Sequence, residues 1–518
     1  MKRLILPLYI CGLATGAELR FSIPADPKTF DPLHVSEDNS EIVRYLTAGT
    51  LVRINRATDK VELQLADSYK LSPDGRAVTF HLRPGLKFSD GTPLNSNDVA
   101  RTLNTALDPK QASPKGDTFR SDKGPPEVKA ISPLEISIRY PAPKPDIERL
   151  FDALSIVPVK AARIPASAGP YFVAEYRSGE SLRLSRNPHY WMRPALDSIR
   201  IDIQPNHDIE LTRFLRGELD LINKLEPAGF DRVAKEQPAA ARNLGASLDS
   251  ELMWFNQAPS QAVPEWKRKW FRSKAFRRAV SESIRRDDIA RIVFHGYAHP
   301  AAGPISPANK FWFNAALKPL PFDAQAATRD LAADGFKLSG GVLKDKDGHA
   351  VEFSIITNAG NRTREAMAAV IQSDLSAIGI RVNIVTLDMG SLIERIAKTA
   401  QYEACLLGFA SVEVNPTEQM NVWLSSGAQH AWWPLEKTPA TPWEARIDQL
   451  EISMASEPSR DLRKKAIDEM QRIVVDEQPI IYLINPDYLA AVSPRIRGAQ
   501  PVASPPQILW NVESLRLE

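Results

Sequence analysis

The chain has 518 residues, of which 43% are apolar and 25% are charged, a balance typical of soluble globular proteins. A single hydrophobic core stops growing at roughly 250–300 residues, so this length excludes one compact domain and predicts two or three. The net charge of +2 excludes the strongly basic surface on which general nucleic-acid binding depends.

The N-terminus has the pattern of a secretory signal peptide, residues 1–17. Lys2 and Arg3 precede an apolar run that ends in small residues at Ala17, and this run is shorter than the roughly 20 residues that a membrane-spanning helix needs. We expect cleavage after Ala17 and a soluble mature chain in the periplasmic or extracytoplasmic space. That chain would carry 63 basic and 63 acidic residues and one cysteine, Cys405, which its apolar neighbours predict to be buried and not a nucleophile.

Turn, strand and helix signals then follow one another along the chain. We predict a first strand over Glu18 to Ile23 and a helix within residues 41–53. Ser72-Pro73-Asp74-Gly75 predicts a tight turn before a strand in which Val78, Phe80 and Leu82 alternate with polar residues. Asn95 and Asp98, three residues apart, predict a capping box at the start of a helix.

The order of these signals over residues 63–103 resembles the signature of the family 5 solute-binding proteins, the extracytoplasmic peptide and nickel receptors of ABC importers. Ala168-Gly169-Pro170-Tyr171-Phe172 and Arg186-Asn187-Pro188-His189-Tyr190-Trp191 resemble two further landmarks of that family. The resemblance extends over nearly the whole mature chain.

Later segments alternate between strand and helix patterns. Residues 199–222 predict one strand-helix-strand unit with Gly217 at the cap that ends its helix, and residues 342–353 predict a hairpin around Asp347-Gly348. Helices are predicted over 365–375 and 461–475, with strands at 382–385 and 479–483.

The resemblance implies an α/β, periplasmic binding protein-like (type II) fold, with two α/β lobes joined by a hinge and a smaller extra domain. The expected division is a discontinuous lobe I over 18–53, 166–265 and 490–518, an extra domain II over 54–165, and a lobe II over 266–489. A ligand would lie between the lobes, which close by a hinge motion.

No catalytic or metal-binding motif accompanies this pattern. The chain lacks G-x-S-x-G, H-E-x-x-H, G-x-x-x-x-G-K-[ST] and Cys-x-x-Cys motifs. His295 and His299 are four residues apart, but Gly296 and Pro300 favour a helix end or loop over a chelating pair. We therefore expect no catalytic residue, no metal site and no cofactor.

Peptide receptors of the family that bind a free amine hold it with an Asp in a motif like Gly-Trp-x-x-Asp-Tyr-x-Asp-Pro. The corresponding stretch starts at Gly408-Phe409, has Val412 at the position of the Asp, and continues through Glu413 and Asn415. Glu413 is the nearest carboxylate, and it is either a ligand contact or an exposed loop residue. Phe409, Glu413 and Asn415 are candidate ligand-binding residues.

A second candidate segment precedes the helix that contains Gln372. Dipeptide receptors of the family place there an Arg and a Tyr that hold the ligand carboxylate, whereas this chain has Asn358 and Gly360. Arg362 and Arg364 lie close by and are either carboxylate partners or ordinary residues of a first helical turn. Asn358 and Arg362 are the candidates from this segment.

Tryptophans crowd the sequence after the first candidate segment, and Trp432 and Trp433 are adjacent. Two neighbouring residues on an extended chain point in opposite directions, so we expect one of them to face a cleft or the surface. Both are candidate ligand-binding residues.

Three hypotheses of function remain. The leading one is a monomeric ABC-importer receptor that binds a peptide or peptide-like solute, performs no chemistry and delivers the solute to a membrane permease. The second is a receptor for a non-peptide ligand such as a nickel chelate, haem, oligosaccharide or opine. The third is an exported hydrolase of unrelated mechanism, which the missing catalytic motifs disfavour.

Overall fold

The computed structural model describes residues 16–121, 123–160, 162–409, 419–434 and 436–518. The predicted signal peptide lies outside this range except for Gly16 and Ala17. Among the described residues, no helix combines the length and the apolar character needed to cross a membrane.

A four-stranded sheet forms the centre of the N-terminal part. Its strands, in spatial order, are Glu18–Ile23, Ser198–Ile203, Ser181–Arg186 and Tyr171–Arg177. The first pair is parallel and the other two are antiparallel. Leu19, Phe21, Ile199 and Ile201 alternate with polar residues and bury one face of the sheet in a common core.

A second four-stranded sheet belongs to the segment proposed as the extra domain. Its strands, in spatial order, are Ala66–Leu71, Ala77–Leu82, Glu135–Arg139 and Glu127–Ser132, all antiparallel. Val78, Phe80 and Leu82 point into its core together with Val99 and Leu103 of the helix Ser96–Leu107.

An eight-stranded mixed sheet dominates the rest of the chain. Its main path runs through Leu221–Ile222, Ile480–Val492, Ser250–Phe255, Ala404–Phe409, Glu352–Asn358 and Arg381–Leu387, and Ala241–Ala246 and Ala298–Pro300 also pair with Ile480–Val492. Short two-stranded pairs join Val52–Ile54 to Val61–Leu63, Lys337–Ser339 to Val342–Lys344, and Ile496–Arg497 to Arg516–Leu517.

The α-helices of the described chain pack mainly on these sheets. They are Asp38–Thr47, Ser96–Leu107, Pro114–Phe119, His207–Leu215, Pro227–Glu236, Glu265–Arg272, Lys274–Glu282, Arg286–Val293, Ala324–Ala333, Arg362–Ser376, Met389–Glu394, Met420–Trp423, Pro442–Met454 and Arg460–Glu477. The mixed α/β class predicted from the sequence is confirmed.

The 13-residue strand Ile480–Val492 links the two halves of the large sheet. Its first half pairs with Ser250–Phe255, and its second half pairs with Ala241–Ala246 and Leu221–Ile222. The segment 241–255 and the antiparallel strand Ile480–Val492 therefore pass together from one half of the large sheet to the other. The domain boundaries remain a proposal, and this pairing favours a crossover near residues 246–250 over one at residue 265.

Candidate functional site

A cavity of about 600 Å³ opens at the carboxyl end of the strand Ala404–Phe409, beside the crossover. Its walls are mainly aliphatic and aromatic, and none of the described residues that line it is Asp, Glu, Lys or Arg. The lining includes Leu248, Trp254, Pro304, Ile393, Ile396, Leu407, Phe409, Val422, Trp423, Ala431 and Tyr482, with Ser250, Gln419, Gln429 and His430 as polar members. This volume and this composition are typical of small-molecule sites.

The strand at the mouth of the cavity is only partly paired. Ser250–Phe255 pairs with it along its whole length, from Ala404 to Phe409, whereas Glu352–Asn358 pairs only with Ala404 and Cys405. Among the described residues, 406–409 thus have a strand partner on one side only. An open edge of this kind can pair with an extended backbone.

A fixed ion pair crosses this edge at Gly408. The guanidinium of Arg364 donates to both oxygens of Glu251, over 2.8 and 3.1 Å, and to Oδ1 of Asn358 over 2.9 Å. A Cβ atom on Gly408 would lie 2.3 Å from Nη2 of Arg364 and 2.7 Å from Oε1 of Glu251, so the ion pair requires glycine there.

The ion pair also decides what Arg364 and Asn358 can offer a ligand. Arg364 and Glu251 are each 14% exposed and neutralise one another. Asn358 accepts from Arg364, so its amide oxygen is already engaged. A ligand carboxylate would therefore have to compete with Glu251 for Arg364.

Hydrogen bonds between aromatic side chains stabilise the cavity wall that contains Trp254 and Ala431. Nε1 of Trp254 donates to the Tyr402 hydroxyl over 3.1 Å, and that hydroxyl donates to the carbonyl of Ala431 over 2.6 Å. Burial raises the pKa of Tyr402, so its hydroxyl stays a neutral donor. This chain of hydrogen bonds fixes the segment around Ala431 against the sheet.

Trp423 is the cavity residue with an unused donor. Its ring is buried, and its indole nitrogen finds no acceptor among the described residues. Buried indole N–H groups usually have a partner, so an acceptor on a bound solute would satisfy it. The crowding of tryptophans in the sequence pointed to this region but did not single out Trp423, Trp254 or Tyr482.

The structure separates the predicted site residues into four groups. Phe409 lines the cavity and lies against Trp254, with ring centroids 5.9 Å apart. Asn358 reaches the strand edge only through Arg364. Glu413 and Asn415 lie outside the described residues.

The remaining predicted residues do not line the cavity. Arg362 is exposed at the first position of the helix Arg362–Ser376. Trp432 is fully buried and donates from Nε1 to Glu444 over 2.9 Å, whereas Trp433 is half-buried with the Arg272 guanidinium 4.5 Å from its ring centre. The sequence predicted that one of the two adjacent tryptophans faces a cleft or the surface, and Trp433 is the partly exposed one, with the Arg272 guanidinium over its ring.

A second cavity, of about 440 Å³, lies where three parts of the chain meet. Its lining combines residues 35–56 and the extra-domain segment with Trp312, Arg460 and the Pro505-Pro506 pair. Five acidic and five basic side chains face it, namely Glu37, Asp38, Glu41, Asp146, Asp152, Arg44, Arg56, Lys115, Arg149 and Arg460. Several of these charges already neutralise one another, as in the pairs Arg44–Glu41 and Arg56–Asp152.

A model of the bacterial extracellular solute-binding proteins, family 5 (middle), matches residues 60–431. The chain belongs to this family. It is 26% identical to a probable ABC transporter-binding protein of Deinococcus radiodurans, over 93% of this chain and 89% of the relative. It is 24% identical to the oligopeptide-binding protein AppA of Bacillus subtilis, over 96% and 91% of the two chains.

The fold of this family 5 protein matches solved structures over almost its full length. The crystal structure of the ABC transporter substrate-binding protein CtaP of Listeria monocytogenes superposes with a TM-score of 0.82 at 21% identity, covering 97% of this chain and 99% of that one. The predicted type II periplasmic binding fold is thereby confirmed. The protein is a substrate-binding receptor of the ABC-importer class, and the identity of its solute is decided by the site.

Proposed function

We propose that this family 5 protein is an extracytoplasmic receptor that binds a peptide or peptide-like solute bearing an apolar side chain and delivers it to the membrane permease of an ABC importer. The observation that carries the proposal is the 600 Å³ cavity at the end of Ala404–Phe409. Its size, its apolar walls and its few polar groups suit one large hydrophobic side chain together with part of a backbone.

The geometry next to the cavity supports an extended ligand. In this proposal an extended ligand pairs with the one-sided edge at Phe409, beyond the Arg364–Glu251 pair that covers Gly408, and Trp423 offers an indole donor. Glu413 and Asn415 come shortly after Phe409 in the sequence and remain proposed contacts. In this proposal Glu413 takes the place of the missing Asp as partner of the ligand amine.

The one cysteine near the cavity is consistent with a receptor that delivers its solute without covalent chemistry. The thiol of Cys405 is buried beneath the cavity floor, and burial raises its pKa, which keeps it from being a thiolate nucleophile. Solute release in this proposal follows from the two lobes moving apart about the strands near residues 246–250 and 484–487.

Filling the cavity tests the proposal. Ala397 lines the cavity on the short helical segment 395–399, and Ala397→Trp would place an indole inside it. We expect the unaltered protein to gain thermal stability from some members of a library of peptides with Phe, Leu or Trp side chains, and Ala397→Trp to lose at least about tenfold in affinity for them.

Ala332→Trp is the matched control, since Ala332 is exposed on the helix Ala324–Ala333, away from the cavity lining. It should bind peptides like the unaltered protein. Equal affinity of Ala397→Trp and Ala332→Trp would remove the cavity from the binding site.

A non-peptide solute with an apolar surface is the second candidate. The absence of charged side chains among the described cavity residues favours it, because a free amine or carboxylate finds no counter-charge there. Among the non-peptide classes, the apolar macrocycle of haem suits these walls better than an oligosaccharide, and its two propionates would have to lie outside the cavity. An increase in Tm with haem, together with no increase in Tm with any peptide of the library, would favour this candidate over a peptide.

A further inference from the structure

We propose that His430, Glu436 and Glu444 bind a resident divalent transition-metal ion of the zinc type, which joins the cavity wall to the helix Pro442–Met454. Nε2 of His430 lies 3.2 Å from Oε2 of Glu436 and 4.0 Å from Oε1 of Glu444. One ligand atom from each side chain lies within 4.8 Å of the other two. This inference is independent of the solute that the cavity takes.

The three side chains are buried but incompletely satisfied. They are 0%, 4% and 3% exposed for His430, Glu436 and Glu444. Nε2 of His430 and both carboxylate oxygens of Glu436 lack a hydrogen bond of good geometry among the described residues, although the imidazole and the backbone amide of Ala440 lie near the carboxylate. A buried carboxylate without a partner is costly, and one cation would satisfy all three atoms at once.

The hydrogen bonds around the cluster prepare it for a metal. Nδ1 of His430 lies 3.2 Å from the carbonyl of Val422, and in this proposal it donates the ring proton to that carbonyl, so that the Nε2 lone pair faces the metal. Glu444 accepts from Trp432 Nε1 through one oxygen and from the Thr441 hydroxyl through the other, which fixes its carboxylate. Each oxygen retains a lone pair for a cation.

The nearby cations are committed elsewhere. Arg272 and Arg277 lie close enough to affect the charges of Glu436 or Glu444, but Arg272 donates to the carbonyl of Gln257, and Arg277 donates to the carbonyls of Phe271, Glu477 and Gln478. Within the described chain, neither forms an ion pair with the two acids. Two carboxylates thus face one imidazole, and neither arginine compensates their charge directly.

The donor set and its spacing suit zinc. Zinc takes imidazole nitrogen and carboxylate oxygen at about 2.0–2.2 Å, which keeps any two of its ligand atoms within about 4.2 Å. The separations of 3.2 and 4.0 Å already meet this condition, and the widest needs a shift of less than about 1 Å. Because His430 also lines the large cavity, a fourth ligand such as water has a side from which to approach.

Metal loading of untagged protein tests the proposal. Protein dialysed against EDTA and then against metal-free buffer is titrated with Zn²⁺ alone, without any solute, and followed by calorimetry, elemental analysis and thermal unfolding. We expect one zinc per chain and an increase in Tm of several degrees, since the ion binds the folded state. Diffraction at the zinc edge should place one anomalous peak among the three side chains.

Glu436→Gln keeps the side-chain shape and removes the negative charge, and we expect it to weaken zinc binding at least about a hundredfold. The control is Asp347→Asn in the partly exposed group Asp345, Asp347 and His349, which should bind zinc like the unaltered protein. Absence of stoichiometric zinc, an unchanged Kd in Glu436→Gln, or loss of zinc in Asp347→Asn would each overturn the proposal. Glu436→Gln could also lower the Tm while zinc still raises the Tm by the same amount as in the unaltered protein. That result would likewise assign these residues to packing alone.

Discussion

Glu451 lies on the buried face of the helix Pro442–Met454, and neither of its carboxylate oxygens has a hydrogen-bond partner among the described residues. Burial, with a smaller effect from the charge of Asp448, raises its pKa from 4.5 to about 8. The folded protein therefore keeps this proton over a pH range in which the unfolded chain has already released it.

This difference makes stability depend on pH. Between about pH 4.5 and pH 8 the folded state binds the proton more strongly than the unfolded state, so stability falls as pH rises through this range. Glu451→Gln, which stays neutral, should match the unaltered protein near pH 4.5 and exceed it by a few kcal/mol at about pH 9.

Chemical denaturation at about pH 5, 7 and 9 would measure the effect. Glu352→Gln on an exposed strand position is the control and should follow the unaltered protein at every pH. Parallel pH profiles for all three proteins would show that Glu451 is ionised in the folded state.

At the scale of single elements, the helix Ser96–Leu107 begins as the sequence predicted. Oδ1 of Asn95 accepts from the amide of Asn97 over 2.9 Å, and the Asp98 carboxylate accepts from the amide of Asn95 over 3.0 Å. The predicted capping box is confirmed, because it depends only on residues three apart in sequence.

Removing the cap should loosen this helix locally. Asn95→Ala is expected to cost about 1 kcal/mol and to speed hydrogen exchange of the amides in the first turn of Ser96–Leu107. Asn97→Ala, at an exposed position of the same turn, should change the exchange much less. Mass-spectrometric hydrogen exchange resolves the two, and equal protection in both variants would contradict a stabilising cap.

The turn predicted at Asp347-Gly348 within residues 342–353 is present, with Val351 donating to Leu343 and Asp345 donating to His349 through the backbone, but the hairpin around it is short. The strand Val342–Lys344 pairs with the preceding Lys337–Ser339, and a single bridge links Lys344 to Ala350. Gly340 and Gly341 both have positive φ, at 58° and 76°, and form the two-residue turn between these strands. The Gly-Gly pair is the sequence signal for this additional turn, which the prediction did not include.

At the scale of the whole molecule, two ion pairs tie the helix Arg460–Glu477 to the segment proposed as the extra domain. Arg460 pairs with Asp59, and Nη2 of Arg463 lies 2.9 Å from Oδ2 of Asp146. Arg463 is fully buried, and its other nitrogens lack partners among the described residues. Among the described residues, Asp146 is therefore the ion-pair partner of this buried guanidinium.

Breaking both pairs should favour a more open molecule. We expect Asp59→Asn combined with Asp146→Asn to lower stability by about 1–3 kcal/mol, between the values for exposed and buried pairs, and to increase the radius of gyration of the solute-free protein. Small-angle X-ray scattering measures the second effect.

Asp74→Asn is the control for this comparison, since it breaks an exposed pair with Arg139 inside the same segment. Its scattering should equal that of the unaltered protein. Identical scattering from the double variant would mean that these pairs do not hold the two parts together.

The sequence by itself determined the family, the α/β class and most local elements. The first strand is Glu18–Ile23 as predicted, and the helices expected at 365–375 and 461–475 are Arg362–Ser376 and Arg460–Glu477. Such elements are encoded by apolar periodicity, caps and turns over a few neighbouring residues, so they can be predicted from the sequence without the tertiary structure.

Tertiary structure alone decided the site. Arg364 is held by Glu251, 113 residues away in sequence, and Trp432 is buried against Glu444 instead of facing a ligand. The cavity walls and the His430, Glu436 and Glu444 cluster also come together only through packing of separate segments. Local patterns report which face of an element is buried, but which side chains meet across that buried space depends on contacts distant in sequence.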